Sequence, residues 1–299
     1  MLSLRGVFAS NNQCRRDATH RVSTPSEIRH QKSNIVNHKG GVGKTTSVAN
    51  IGAGLALAGA RVLLIDIDAQ CNLSESFGLV RQTPNIYTSM TQRAALPIYN
   101  IKPNLDVVPS SLELLKAEIE ISAVMSRESI LRKLLEPIKA QYDFVLIDSP
   151  PSLGLLTVNA LTAADEVIIP LEAEFLAYRG LDSIVFAIDL TKKNTNPALK
   201  IGGVFLTKYN KSRSLTTSIR EEVSKYFGDV LFNTVIRVNV ALAEAASNGK
   251  DIFEYAPESN GANFRHSRRR FTVYQKCRPH EAHGRGYGIY AKRSLTPYN

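Results

Sequence analysis

The apolar residues of this chain gather in short, nearly unbroken runs at 62–65, 143–147, 166–169 and 201–206, with stretches of helical spacing between them. A run without polar alternation is covered on both faces, as parallel strands in a layered sheet are. A shorter apolar piece, Ile35-Val36, precedes them, and the small and apolar residues over 48–60 read as a helix that closes at Gly59. Strand, helix and strand in this order predict an α/β fold built on a doubly wound, mostly parallel sheet. The first strand is expected to be short and polar, because Arg29-His30-Gln31-Lys32-Ser33 lead into it.

Between the first strand and the first helix lies Lys39-Gly40-Gly41-Val42-Gly43-Lys44-Thr45-Thr46. Glycines at 40, 41 and 43 let the backbone fold around an anion with successive N–H groups turned inward, where side chains would block the approach. Lys44 places a point charge on β- and γ-phosphates, and the Thr45 hydroxyl is placed to ligate a bridging Mg²⁺. The helix that follows adds its positive end. The standard loop has glycine at the position of His38; here a second lysine, Lys39, stands next to it, which is the deviant Walker A form of a P-loop NTPase. One lysine already serves the phosphates within the loop. The second is therefore expected to reach the phosphate of another subunit, giving a homodimer that sandwiches two nucleotides.

Acidic residues end the predicted strands, where open α/β sheets bind their ligands. Asp66 and Asp68 follow one run in LLIDIDAQ, and Asp148 follows another in FVLIDSPPS. Apolar residues followed by Asp match the Walker B arrangement, so Asp148 is the expected Mg²⁺-orienting carboxylate. Asp68 is the candidate for holding the water that attacks the γ-phosphate, and the alternative for either residue is a cap on the following turn.

Taken together, KGGVGKTT, LLIDIDAQCNLSESFG, FVLIDSPPSLGLLTVNALTAADEVIIP and VIRVNVALAEAASNGKDIFEYAPESNGA resemble the ParA-type partition ATPases of the ParA/MinD deviant Walker A group, over residues 34 to 262. The resemblance implies ATP-dependent dimerisation, DNA binding without sequence preference by the ATP-bound dimer, and slow hydrolysis stimulated by a ParB-type centromere-binding protein. It also implies that Lys39 is the signature lysine, Lys44 the P-loop lysine, Thr45 the Mg²⁺ ligand, Thr46 a further phosphate contact, Asp68 the hydrolysis-linked aspartate and Asp148 the Walker B aspartate. Basic residues at places comparable to the family's DNA-facing surface are Lys211, Arg213, Arg220, Arg237 and Lys250. Ala69-Gln70-Cys71 departs from the family's Pro-Gln-Gly/Ala, with a small residue kept at both changes and little effect expected.

Charge alters the picture at the ends only. The chain carries a net +10, yet residues 1–32 hold six Lys/Arg against two Asp/Glu and residues 261–299 hold nine against one, leaving the middle at −2. Overall basicity thus says little about what the core binds, and any DNA contact there must come from a local patch. The expected organisation is an N-terminal extension over 1–32, one ATPase domain over 33–262, and an atypical basic tail over 263–299. In that tail no apolar helical stripe is visible, and it reads either as a disordered basic arm or as an unnatural terminus. A MinD-like positioning ATPase is the alternative; it would end in a basic amphipathic helix that inserts in lipid, and the tail lacks the apolar face. No apolar run of signal-peptide or membrane-spanning length occurs, and Cys14, Cys71 and Cys277 form no CxxC. Both observations fit a cytoplasmic, nucleoid-associated protein without a disulfide framework or zinc site.

Overall fold

The apolar runs become strands in a computed structural model that describes residues 30–174, 181–210 and 214–262. In chain order they are β1 (Gln31–Ile35), β2 (Val62–Asp66), β3 (Tyr99–Lys102), β4 (Leu105–Val108), β5 (Phe144–Asp148), β6 (Glu166–Glu172), β7 (Lys200–Tyr209) and β8 (Leu231–Arg237). Every residue of β2, β5 and β6 is buried, as runs without alternation require. β1 is short and polar as expected, but it starts at Gln31 and its Ser33 and Asn34 are fully buried. Their side chains are occupied there: the Ser33 hydroxyl donates to Glu166, and Asn34 accepts from the Ser149 hydroxyl.

The eight strands form one sheet in the order β3-β4-β2-β5-β1-β6-β7-β8. All neighbours are parallel except β3 and β4, which form a hairpin at one edge. The hairpin turns at Pro103-Asn104, with Asn104 at φ 64°.

One face of the sheet is covered by α1 (Lys44–Leu57) and α2 (Asn72–Glu75), and the other by α3 (Ile86–Gln92), α4 (Leu114–Glu120), α5 (Ile130–Leu135), α6 (Leu155–Ala163), α7 (Leu181–Asn194) and α8 (Ser214–Phe227). α1 sits very close to the sheet. A Cβ at Gly52 would stand 2.5 Å from a Leu64 methyl, so any larger residue there would have to displace the buried Leu64 side chain. The chain then returns from β8 as α9 (Val240–Ser247) and α10 (Ile252–Tyr255), which pack on α1. This strap is fastened twice: the Ile252 N–H donates to the Asn50 side chain on α1 at 2.8 Å, and buried Asp251 takes the Lys102 ammonium at the β3–β4 turn.

Register positions the chemistry. Asp66 of β2 is level with Asp148 of β5, and Asp148 is level with Ile35, the last residue of β1. From β1 the chain crosses through α1 to β2 on one side, while β6 lies on the other, so the loop after β1 opens at the point where strand order reverses.

Candidate active site

The loop from β1 to α1 needs glycine for its shape. Gly41 and Gly43 have φ of 70° and 88°, the left-handed region that residues with a Cβ rarely adopt, and nothing lies within 4 Å of a Cβ built on Gly40 or Gly41. The inner side of the loop is thus open to an anion at the N-terminus of the 14-residue α1. Asn37 anchors the loop's entrance by donating to the Pro170 carbonyl at 2.6 Å and accepting from the Lys39 N–H at 2.9 Å. Val42 is buried and holds the middle of the loop against the core.

Lys44 is only 7% exposed, and its ammonium donates to the Lys39 carbonyl at 3.3 Å. Burial pushes its pKa down, opposed by the charges of Asp148 and Asp68. Asp148 is buried and neither of its carboxylate oxygens has a hydrogen-bond partner of good geometry. Burial, with the neighbouring charge of Asp66 next, drives its pKa well up, and the nearby Thr45 hydroxyl only partly opposes this. An unpartnered buried carboxylate is costly. It is the feature a hard cation would relieve, with Asp148 and the Thr45 hydroxyl supplying oxygen toward it, so the donor set fits Mg²⁺.

Asp68 stands just past the end of β2. Its N–H donates to Asp66 at 3.1 Å, its carbonyl accepts from the Ser110 hydroxyl at 2.6 Å and from the Cys71 N–H at 3.0 Å, and one carboxylate oxygen accepts from the Gln70 N–H at 3.0 Å. Asp66 faces inward and is fully buried. Its carboxylate accepts from the Ser74 N–H at 2.9 Å and the Ser74 hydroxyl at 2.7 Å, and the Ser74 hydroxyl in turn accepts from the Ser110 N–H at 2.9 Å. Burial raises the pKa of Asp66 to about 6, against the pull of these hydrogen bonds.

Lys39 is held differently from the expectation of a free amine at the loop mouth. Its ammonium is clasped within its own chain by Glu172 and Glu174, each at 2.8 Å, and Lys208 makes a second ion pair with Glu172 at 2.9 Å. The hydrogen bond to Glu172, then that to Glu174, raises the Lys39 pKa. Burial pushes Glu172 up, but the two lysines more than offset it and leave its pKa below the ordinary value. The reason is proximity: β6 ends beside β1, so the carboxylates at its end face the loop. Strand-end acidity is the signal that found Asp66, Asp68 and Asp148, and applied to Pro170-Leu171-Glu172 it marks an acidic residue at this strand's end, though not its partner Lys39.

The structure therefore brings Lys39, Gly40, Gly41, Val42, Gly43, Lys44, Thr45, Thr46, Asp68 and Asp148 to one end of the sheet. It does not gather the basic candidates. Lys211 and Arg213 lie outside the described residues. Arg220 on α8 donates to the backbone and side chain of Asn233 at 3.4 Å, and Arg237 is exposed at the end of the same edge strand, β8. Lys250 belongs to the strap, pairs with Glu254 at 3.4 Å and neighbours Asp251, which is bound at the opposite edge of the sheet. Within one chain Arg220 and Arg237 share an edge and Lys250 stands apart.

Comparison with known proteins follows the same lines. A family described as an AAA domain matches residues 31–201. The sporulation initiation inhibitor protein Soj of Bacillus subtilis is 46% identical over 234 residues, covering 76% of this chain and 92% of that protein. The chromosome-partitioning ATPase Soj of Treponema pallidum is 44% identical over 231 residues, covering 76% and 91%. Among solved structures, a plasmid partition protein from Borrelia burgdorferi bound to AMPPNP superposes with a TM-score of 0.64 at 29% identity, covering 75% of this chain and 95% of that one. The chain is a P-loop protein of the deviant Walker A type and belongs to the Soj/ParA family of partition ATPases.

Proposed function

We propose that this chain dimerises around ATP and Mg²⁺, binds DNA without sequence preference as that dimer, and hydrolyses ATP slowly until a ParB-type partner stimulates it in the cytoplasm, on the nucleoid. The observation that carries the reading is the buried, unpartnered carboxylate of Asp148 beside Lys44 and Thr45, at the mouth of an open glycine loop. Bound there, Mg²⁺ supplies charge neutralisation at the phosphoryl group being transferred. Asp148 and Thr45 would hold it. The backbone N–H groups of the loop, with Thr46, cradle the phosphates, and Lys44 is placed for the β- and γ-phosphates. Asp68 orients the attacking water with the carboxylate oxygen that Gln70 does not occupy.

Lys39 must exchange partners to act across a dimer. Its pair with Glu174 is about half exposed, and pairs of this kind contribute only about 0.2–1 kcal/mol, while buried Glu172 keeps Lys208 as a partner when Lys39 leaves. A triphosphate presented by a second copy offers a charge-assisted contact of the same kind, with several anionic oxygens gathered on one group. The clasp therefore keeps Lys39 within its chain without preventing its release.

Asp68→Ala separates assembly from chemistry. The variant is expected to sediment as a dimer with saturating ATP and Mg²⁺ while hydrolysis falls by ~10²-fold or more, the contribution of a positioned proton acceptor. Monomers alone under these conditions would overturn the dimer reading, and an undiminished rate would remove Asp68 from its role.

For DNA, Arg237→Glu is expected to weaken retention on non-specific duplex and to reduce the salt slope by about one unit, with ATP affinity unchanged. Retention and slope equal to the parent's would exclude Arg237 from the contact. Among the described residues no helix is long and apolar enough to cross a membrane. The amphipathic helix of a MinD-like protein would fall in residues 263–299, outside the described residues, and liposome flotation with ATP distinguishes that alternative.

A further inference from the structure

Asp68 lies beyond the last paired residue of β2, so the sheet ladder does not fix its peptide. A closed circuit of side chains does so instead. Asp66 accepts from the Asp68 N–H, Ser110 donates its hydroxyl to the Asp68 carbonyl, Ser74 accepts the Ser110 N–H, and Ser74 donates its own hydroxyl back to Asp66. The four links measure 3.1, 2.6, 2.9 and 2.7 Å, and Asp66, Ser74 and Ser110 are at most 1% exposed.

From this geometry we propose that Ser110 and Ser74 are positioning residues for ATP hydrolysis, acting by holding the Asp68 peptide so that its carboxylate meets the attacking water. The inference rests on the reading of Asp68 as the hydrolysis-linked residue. Three features favour positioning over general packing. The two serines come from segments 36 residues apart and are joined directly by this hydrogen bond. Each spends its hydroxyl within the circuit, Ser74 on the carboxylate that holds the Asp68 N–H and Ser110 on the Asp68 carbonyl. The held residue is also the one whose displacement matters most, since a shift of about 1 Å in a reacting group costs on the order of 10²-fold in rate. The Cys71 N–H contact to the same carbonyl does not substitute for Ser110. It closes the turn after Asp68 from within the same loop and cannot fix that loop to the rest of the fold.

The test is single-turnover hydrolysis and ATP affinity in the full chain with Mg²⁺, with a thermal melt of each sample. Ser110→Ala is expected to melt cooperatively, to bind ATP within about twofold of the parent, and to hydrolyse roughly tenfold more slowly, a rate effect without an affinity effect. Combined with Asp68→Ala, it is expected to slow hydrolysis no further than Asp68→Ala alone, because Ser110 acts through Asp68. Ser110→Thr and Ser110→Val have nearly the same shape and differ in the hydroxyl. The threonine variant is expected to keep at least several times the rate of the valine variant, and this pair decides the matter should the alanine variant fail to fold. Equal rates for the pair, or Ser110→Ala at the parent's rate beside a slow Asp68→Ala, would overturn the inference alone. Asp68→Ala at the full rate would overturn the reading of Asp68 and the inference with it.

Discussion

Lys44→Ala is expected to lower ATP affinity by at least ~10²-fold, because charge-assisted bonds contribute about 1.5–3 kcal/mol each and a tenfold change corresponds to about 1.4 kcal/mol. The effect is large for two reasons. Lys44 is almost completely buried, so its charge acts on a phosphate with little screening by water. It is also the cation that Asp148 and Asp68 both act upon, and without it the charge of these two carboxylates stands uncompensated before an incoming triphosphate. Titration calorimetry with ATP and Mg²⁺ measures the change directly. Affinity within fivefold of the parent would mean that the backbone loop holds the phosphates alone.

Asp148→Asn is expected to move binding and stability in opposite directions. Mg²⁺-dependent ATP affinity should fall by ~10-fold or more, while in EDTA the variant should bind ATP no more weakly than the parent, since the metal contact is then absent from both and the variant has one negative charge fewer beside the phosphates. Stability should rise at neutral pH by about 1–2 kcal/mol, or about 3–6 °C in Tm, as is usual when functional strain is removed. The sign follows from burial. A carboxyl whose pKa is higher folded than unfolded keeps its proton longer in the folded chain. Its stabilising contribution is full below the unfolded value and is lost as pH rises through the folded one. For Asp66 that window runs from 3.8 to about 6, and Asp148 is displaced in the same direction. The advantage of Asp148→Asn should therefore shrink as pH falls toward 4. Thermal melts at pH 7 and pH 4.5 read this, and a variant less stable than the parent at pH 7 would contradict the account.

The features legible in the sequence were those with a one-dimensional signature. Unbroken apolar runs predicted β2, β5, β6 and β7, and glycines with a fixed spacing predicted the loop whose positive φ angles require them. Aspartates at strand ends predicted the acidic side of the site, since parallel register brings such ends level. Edge elements were harder to see. The edge strands β3 and β8 are partly exposed and alternate weakly, and β4 beside β3 is short, although Pro103-Asn104 between two apolar pieces was an available turn signal. Contacts that exist only after folding left no local trace. The Ser74–Ser110 link and the grip of Glu172 and Glu174 on Lys39 join segments 36 to 135 residues apart, and nothing near any of these residues specifies the partner. For the same reason the basic residues looked like one group in sequence, whereas the described ones occupy two edges of the sheet.

The strap across α1 carries a consequence for biosynthesis. Asn50, one and a half turns into the helix that bears the phosphate loop, waits for a backbone donor 202 positions later in the chain. While the ribosome is still making the second half, the nascent chain holds the loop's sequence but not the segment that closes over its helix, and such long-range contacts form last. The seating of that helix is thus complete only once translation has passed Ile252, and a product cut short before it would carry the motif on a helix whose outer face lacks this cover.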